Sequence, residues 1–443
     1  MAIASTGAGV PPFSTGREKV VTVLVSIGQE STAPGAEEEM RSLVSSAGGE
    51  VAASLSQHRP SPDPATFVGS GKVEEIRRAA AAAGAATLVF DHNLTPGQVS
   101  RLEEATGCKV IDRTELIMTI FADHARTAEA KLQIELAQLR YALPRLSGMW
   151  HHLSRLGGGI GTRGPGETQL EVDRRRARKR IAALEDRMKR IEERRVLRDE
   201  RRRDIYRVVL TGYTNVGKST LMNALCGAGV HVEDRLFATL DTTTRKLGDF
   251  PGGTVVLSDT VGFIDRLPEQ LVASFRSTLA VVREADLLLL VGDLSSPWRL
   301  EQMESVRSTL DGLGAGSIPR ITVWNKADLA GETPVEGLAV SALGGIGIDS
   351  LVRIIREARD SVLEWFDLRM ESPGGAAVNW LFENCSVRSR TVLGGSTRIV
   401  AGAYRGRDAV RARMERESFP WHLEAIDGPP SGAMAETSGA SDG

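Results

Sequence analysis

The segment Gly212-Tyr213-Thr214-Asn215-Val216-Gly217-Lys218-Ser219 follows a short apolar run, Arg207 to Thr211, and leads into a helical pattern from Thr220 to Cys226. Glycines at its first and sixth positions let backbone N–H groups turn inward around an anion, and the helix behind adds the positive end of its dipole. Lys218 is then placed to reach the β- and γ-phosphates of a nucleoside triphosphate, with Thr220 beside the loop and Ser219 as a hydroxyl ligand for Mg²⁺. A second apolar run, Thr254 to Leu257, ends in Asp259-Thr260-Val261-Gly262. That puts a carboxylate next to the same ion, through water, and a glycine N–H next to the γ-phosphate.

A third apolar run spans Asp286 to Val291, and a fourth, Ile321 to Trp324, ends in Asn325-Lys326-Ala327-Asp328. A fifth, Leu338 to Val340, ends in Ser341-Ala342. A carboxylate at Asp328 accepts hydrogen bonds from the ring N–H and exocyclic amine of guanine. Adenine offers no such pair, so the pattern points to GTP, with strong discrimination because the wrong base leaves polar groups unpaired. Asn325 is expected to brace this loop and Lys326 to lie along the base plane. Asp259 comes 41 residues after Lys218 and Asn325 a further 66 on, spacings that suit one compact nucleotide-binding domain.

Between these stretches lies Phe237-Ala238-Thr239-Leu240-Asp241, a polar segment where a nucleotide-sensing switch belongs. Thr239 is the chosen second hydroxyl ligand for Mg²⁺, with Thr242 to Thr244 as competitors. Phe263 stands directly after Gly262, where many GTPases carry the glutamine that positions attacking water. Intrinsic hydrolysis is therefore expected to be slow, with water oriented by backbone, a partner or an ion. Asn215 is the residue type found at that place in potassium-activated GTPases, which makes it the candidate ligand for K⁺.

These loops need a parallel-rich sheet whose strand ends carry them, so residues 205–360 are expected to form an α/β P-loop domain. Upstream, Val20 to Ile27 is β-branched, and strand-like and helix-like stretches alternate to Ile111, a small α/β domain over 17–112. Leu132, Leu136, Leu139, Leu143 and Leu146 then form a heptad stripe, answered by Ile181, Leu184, Met188 and Ile191. Together they read as an antiparallel helical hairpin over 113–204, with a Gly-rich tip at 157–166 and Pro144 as a kink or stop. Residues 361–427 read as a small α+β appendage, and 1–16 and 428–443, rich in small residues, as flexible tails.

A chain of 443 residues with net charge -2 excludes a uniformly basic nucleic-acid coat. Residues 171–204 nonetheless hold 15 Lys and Arg against 9 Asp and Glu. This is either a solvated helix face or a surface for RNA phosphate, which arginine suits. The three cysteines, Cys108, Cys226 and Cys385, have no metal spacing, and no apolar run spans a bilayer. Cytoplasmic residence without a membrane span is expected.

Three further patterns carry less. Gly159-Ile160-Gly161-Thr162-Arg163-Gly164 fits a dinucleotide fingerprint but follows a leucine helix rather than a strand. Gly69-Ser70-Gly71-Lys72 is half a phosphate loop, with Thr66 where the first glycine belongs and Val73 where Ser or Thr belongs. His151-His152 has no further histidine or cysteine placed to complete a metal site.

Several segments outside the nucleotide motifs resemble one family, the HflX GTPases. They are Val110 to Thr114 (VIDRT), Lys131 to Leu139 (KLQIELAQL), Leu143 to Leu146 (LPRL) and Gly158 to Glu171 (GGIGTRGPGETQLE), with the similar switch segment FATLD; that segment usually continues with proline, where this chain has Thr242. The resemblance implies a ribosome-associated GTPase, monomeric when free. It would bind the large subunit and its rRNA and help split or rescue stalled or idle ribosomes under stress. In that picture the hairpin enters the ribosome tip first, with Arg163 at RNA and Arg174, Arg175 and Arg178 on the basic arm. The competing expectations are a GTP-regulated module for an RNA-modification or ribosome-assembly partner, and added ATP-dependent work in the N-terminal domain.

Overall fold

The computed structural model describes residues 18–28, 35–149, 165–199, 205–227, 237, 243–248, 250, 253–264, 276–331, 336–404 and 406–427. The first unit is a parallel sheet built from β1 (Glu18–Ile27), β2 (Gly49–Arg59), β3 (Thr87–Phe90) and β4 (Lys109–Ile111), in the order β2-β1-β3-β4. Helices α1 (Ala36–Ser46), α2 (Ser70–Ala83) and α3 (Pro96–Thr106) alternate with these strands. Period-two alternation in β1 explains the two-faced packing. Val21, Val23 and Val25 join Ile76 and Leu102 on one side, whereas Val20 joins Met40, Leu43 and Ile117 on the other. Gly69 caps the start of α2 and Lys72 lies in its first turn, where it pairs with Glu75 at 2.8 Å.

Arg113–His124 forms a separate helix, α4, started by Asp112, whose carboxylate accepts from the Glu115 N–H at 2.9 Å. Leu116, Ile117, Ile120 and Phe121 bury one of its flanks in a core shared with the downstream domain. The hairpin arms are α5 (Ala128–Met149) and α6 (Pro165–Asp199). Pro144 lies inside α5, which continues past it, so the expected stop does not occur. The buried face of α5 is Gln133, Ile134, Leu136 and Ala137, broader than a leucine seam, because α5 packs on α3 and α4 as well as on α6. Leu184 is fully buried on the second arm, and the pairs Arg140–Glu185 (2.6 Å) and Arg180–Glu135 (2.7 Å) cross between the arms.

Next comes a six-stranded sheet in the order β10-β9-β8-β5-β7-β6. Its strands are β5 (Ile205–Gly212), β6 (Thr243–Lys246), β7 (Thr254–Asp259), β8 (Leu287–Asp293), β9 (Arg320–Asn325) and β10 (Leu338–Ala339). All neighbours are parallel except β6 against β7. Helices α7 (Lys218–Cys226), α8 (Arg276–Arg283), α9 (Arg299–Gly312) and α10 (Ile348–Asp360) complete the unit. With Val208 to Leu210 and Leu287 to Val291 nearly solvent-free, the strand interiors are the continuous apolar type expected of a doubly covered sheet.

The C-terminal unit runs β11 (Glu364–Glu371), α11 (Gly375–Asn384), β12 (Ser386–Leu393), β13 (Ser396–Ala403), α12 (Arg407–Met414), β14 (Trp421–Ile426). Its strands pair antiparallel in the order β12-β13-β11-β14, a split β-α-β arrangement with Phe366, Leu368, Ile399 and Ala401 in its core. Among the described residues, no helix is long and apolar enough to cross a membrane.

The candidate nucleotide site

Strand β5 ends in Gly212, whose φ of +158° is close to extended backbone; there a Cβ would overlap the Val291 carbonyl of β8, so only glycine fits. The loop then turns through Asn215 at φ +61° and Gly217 at φ +86°, both left-handed, and enters α7 at Lys218. A Cβ at Gly217 would collide with the Asn325 amide. Asn325 needs that approach. Its Nδ2 donates to the Val216 carbonyl at 2.9 Å, and its Oδ1 accepts from the Ala342 N–H at 3.0 Å. One side chain thus ties the phosphate loop to both loops expected to hold the base. Ser341 is fully buried behind them, and Asp328 is exposed at the mouth. Lys326 has φ +62°, and its ammonium pairs with Asp293 at 2.6 Å. Asp293 carried no sequence signal; its role becomes visible only when β8 and β9 align.

Lys218 donates from Nζ to the carbonyls of Tyr213 (2.7 Å) and Gly212 (3.2 Å). Burial lowers its pKa from 10.5 to about 8, partly opposed by the Asp259 carboxylate. Ser219 Oγ donates to Asp259 Oδ2 at 2.6 Å, and Asp259 is 2% exposed. A hydroxyl and a carboxylate brought together in this way are hard oxygen donors, the set Mg²⁺ takes when phosphate and water fill its other positions. Among the described residues no group of three or more His, Cys, Asp or Glu could hold a metal ion. When bound, such an ion neutralises charge developing on the transferred phosphoryl group.

Gly262 approaches the loop closely: a Cβ would lie 2.8 Å from Thr214 Cα and 3.0 Å from Lys218 Nζ. Phe263 pairs with the loop through its backbone, donating to the Gly212 carbonyl at 3.0 Å and accepting from the Thr214 N–H at 2.8 Å. Its ring is 1% exposed in the core, so it presents no side chain to water. Thr260 donates to the Leu210 carbonyl at 2.7 Å and is structural, and Val261 is buried. Thr220 is half-buried on α7, and Asn215 is exposed.

Phe237 is placed with φ +58° and stacks edge-on against Phe121 of α4, centroids 4.5 Å apart. Its ring serves packing and is 3% exposed. Ala238, Thr239, Leu240, Asp241 and Thr242 lie outside the described residues, as does Arg163. Of the competing threonines, Thr244 bonds to Ser258 Oγ at 2.8 Å, whereas Thr243 sits opposite Asp259 across the β6–β7 ladder. The edge strand β6 itself was missed by pattern reading because Thr243 to Lys246 is short and polar. Arg174 is half-buried on α6, and Arg175 and Arg178 are exposed.

A P-loop fold with this phosphate loop, acidic strand end and base-reading loop defines a GTPase. Residues 36–122 match the family described as GTP-binding GTPase N-terminal, 124–202 the GTP-binding GTPase Middle Region, and 207–326 the 50S ribosome-binding GTPase. The GTPase HflX of Caldanaerobacter subterraneus is 47% identical over 344 residues, 76% of this chain and 80% of that protein. That of Escherichia coli is 44% identical over 350 residues, 76% of this chain and 82% of that protein. A crystal structure of a GTP-binding protein from Sulfolobus solfataricus with GDP is similar at 24% identity and TM-score 0.42, covering 77% of this chain and 98% of that one. The chain belongs to the HflX family of GTPases, and it hydrolyses GTP.

Proposed function

We propose that this GTPase acts on the ribosome, binding the large subunit and its rRNA and, in the GTP form, helping to split or rescue stalled or idle particles under stress in the cytoplasm. The observation that carries this reading is the arm: a 35-residue helix, α6, with Arg175 and Arg178 exposed near its start and held in place by ion pairs to α5. The match of 207–326 to a 50S ribosome-binding family supports the choice of partner. Reversing charge at Arg174, Arg175 and Arg178 should weaken ribosome binding in sedimentation assays and lower the salt slope by about one per lost phosphate contact. Nucleotide affinity should hold. Unchanged ribosome binding would reduce the arm to a solvated spacer.

In this reading Ser219, Asp259 and Thr239 hold Mg²⁺, Lys218 and the Gly262 N–H bind the γ-phosphate, and Asp328 reads guanine. Asn215, exposed and left-handed within the phosphate loop, holds K⁺. Turnover is then expected to be faster in K⁺ than in Na⁺ buffer; equal rates in the two would remove potassium from the mechanism.

A further inference from the structure

We propose that Glu39, on α1 of the N-terminal sheet unit, is a positioning residue for the phosphate loop and acts through the Tyr213 hydroxyl. Glu39 Oε2 accepts a hydrogen bond from the Tyr213 phenol, while Oε1 accepts from Arg113 Nη2 at the start of α4. All three side chains are largely withdrawn from water: Tyr213 is 8% exposed, Arg113 6%, and the Glu39 side chain 14%. Charge-assisted bonds in such surroundings are stronger and more directional than neutral ones. Arg113 neutralises the carboxylate and fixes its orientation, so the phenol meets a held acceptor.

Tyr213 is where a small displacement does most damage. Its carbonyl accepts from Lys218 Nζ at 2.7 Å. Its two neighbours, Gly212 and Thr214, make the backbone pair with Phe263 that docks the segment after Asp259. Holding the phenol therefore holds, through one residue, both the lysine expected to grip phosphate and the segment that follows Asp259. Geometry at reacting groups is costly to disturb even by fractions of an ångström. Glu39 lies 174 residues from Tyr213 in sequence, so the N-terminal unit contributes to the nucleotide site without lining it.

The test uses the full chain and a fluorescent GDP analogue, comparing Tyr213→Phe, Glu39→Ala, Glu39→Gln and the Tyr213→Phe/Glu39→Ala double variant. Tyr213→Phe and Glu39→Ala are each expected to speed nucleotide dissociation by about tenfold, the loss of one charge-assisted bond. The double variant should be no faster than Glu39→Ala alone, because both lack the phenol–carboxylate contact. Glu39→Gln keeps one acceptor oxygen and an amide that can still bond the phenol, so it should recover part of the slow release, and single-turnover hydrolysis should follow the same ranking. Dissociation unchanged in both single variants, or multiplied in the double one, would overturn the proposal. So would a Glu39→Gln variant as fast as Glu39→Ala with an equally lowered melting temperature, since that pattern marks a merely structural contact.

Discussion

Replacing Asp328 with asparagine should lower the preference for GTP over xanthosine triphosphate by about ten-thousandfold, the scale on which polar base-reading sites discriminate. The carboxylate accepts two hydrogen bonds from guanine; asparagine offers one acceptor and one donor, the complement of a xanthine edge. The loop should survive the change, because its geometry is set elsewhere. Asn325 fixes it to Val216 and Ala342, and Asp328 itself is exposed. Competition binding with the two triphosphates reads the outcome directly. An unchanged preference would mean that the base is not read at this loop.

Loss of the Lys218 ammonium is expected to be the second large effect. Lys218→Ala should reduce turnover by on the order of 10² to 10³, as removal of one preorganised charge-stabilising donor does elsewhere. The wild-type pocket should also show a pH signature that the variant lacks. Burial lowers the lysine to about 8, partly opposed by Asp259. Phosphate favours the ammonium form, so binding above that pH must take up a proton. GTP affinity should be level below about pH 8 and fall by about tenfold per unit above it, until the pKa of the bound state is reached. Titration calorimetry in two buffers of different ionisation enthalpy measures this uptake. A flat profile in the wild type would place the lysine away from the phosphates.

The nucleotide motifs were legible because each is local: eight consecutive residues fix the phosphate loop, and four fix the base-reading loop. The apolar run of β1 and the inner strands β5, β7, β8 and β9 were legible for the same reason, since burial on both faces leaves a continuous apolar run, whereas the polar edge strand β6 was not. What stayed hidden depends on contacts between distant elements. Glu39, Arg113 and Asp293 look like ordinary charged residues in sequence, and only the approach of α1, α4 and β8 to the phosphate loop gives them partners. The leucine stripe of α5 was read as a two-helix seam, yet the helix buries Ile134 and Ala137 because it has three neighbours. Of the two readings of Pro144, a kink or a stop, the stop does not hold, since α5 continues through it.

The arm α6 closes at Asp199 and β5 opens at Ile205, and the far end of β5 is the glycine that begins the phosphate grip. At 1.5 Å per residue the 35-residue helix reaches about 50 Å. A load applied along this arm is therefore shared with α5 through the Arg140–Glu185 and Arg180–Glu135 pairs, and through α5 with α3 and α4 of the N-terminal part.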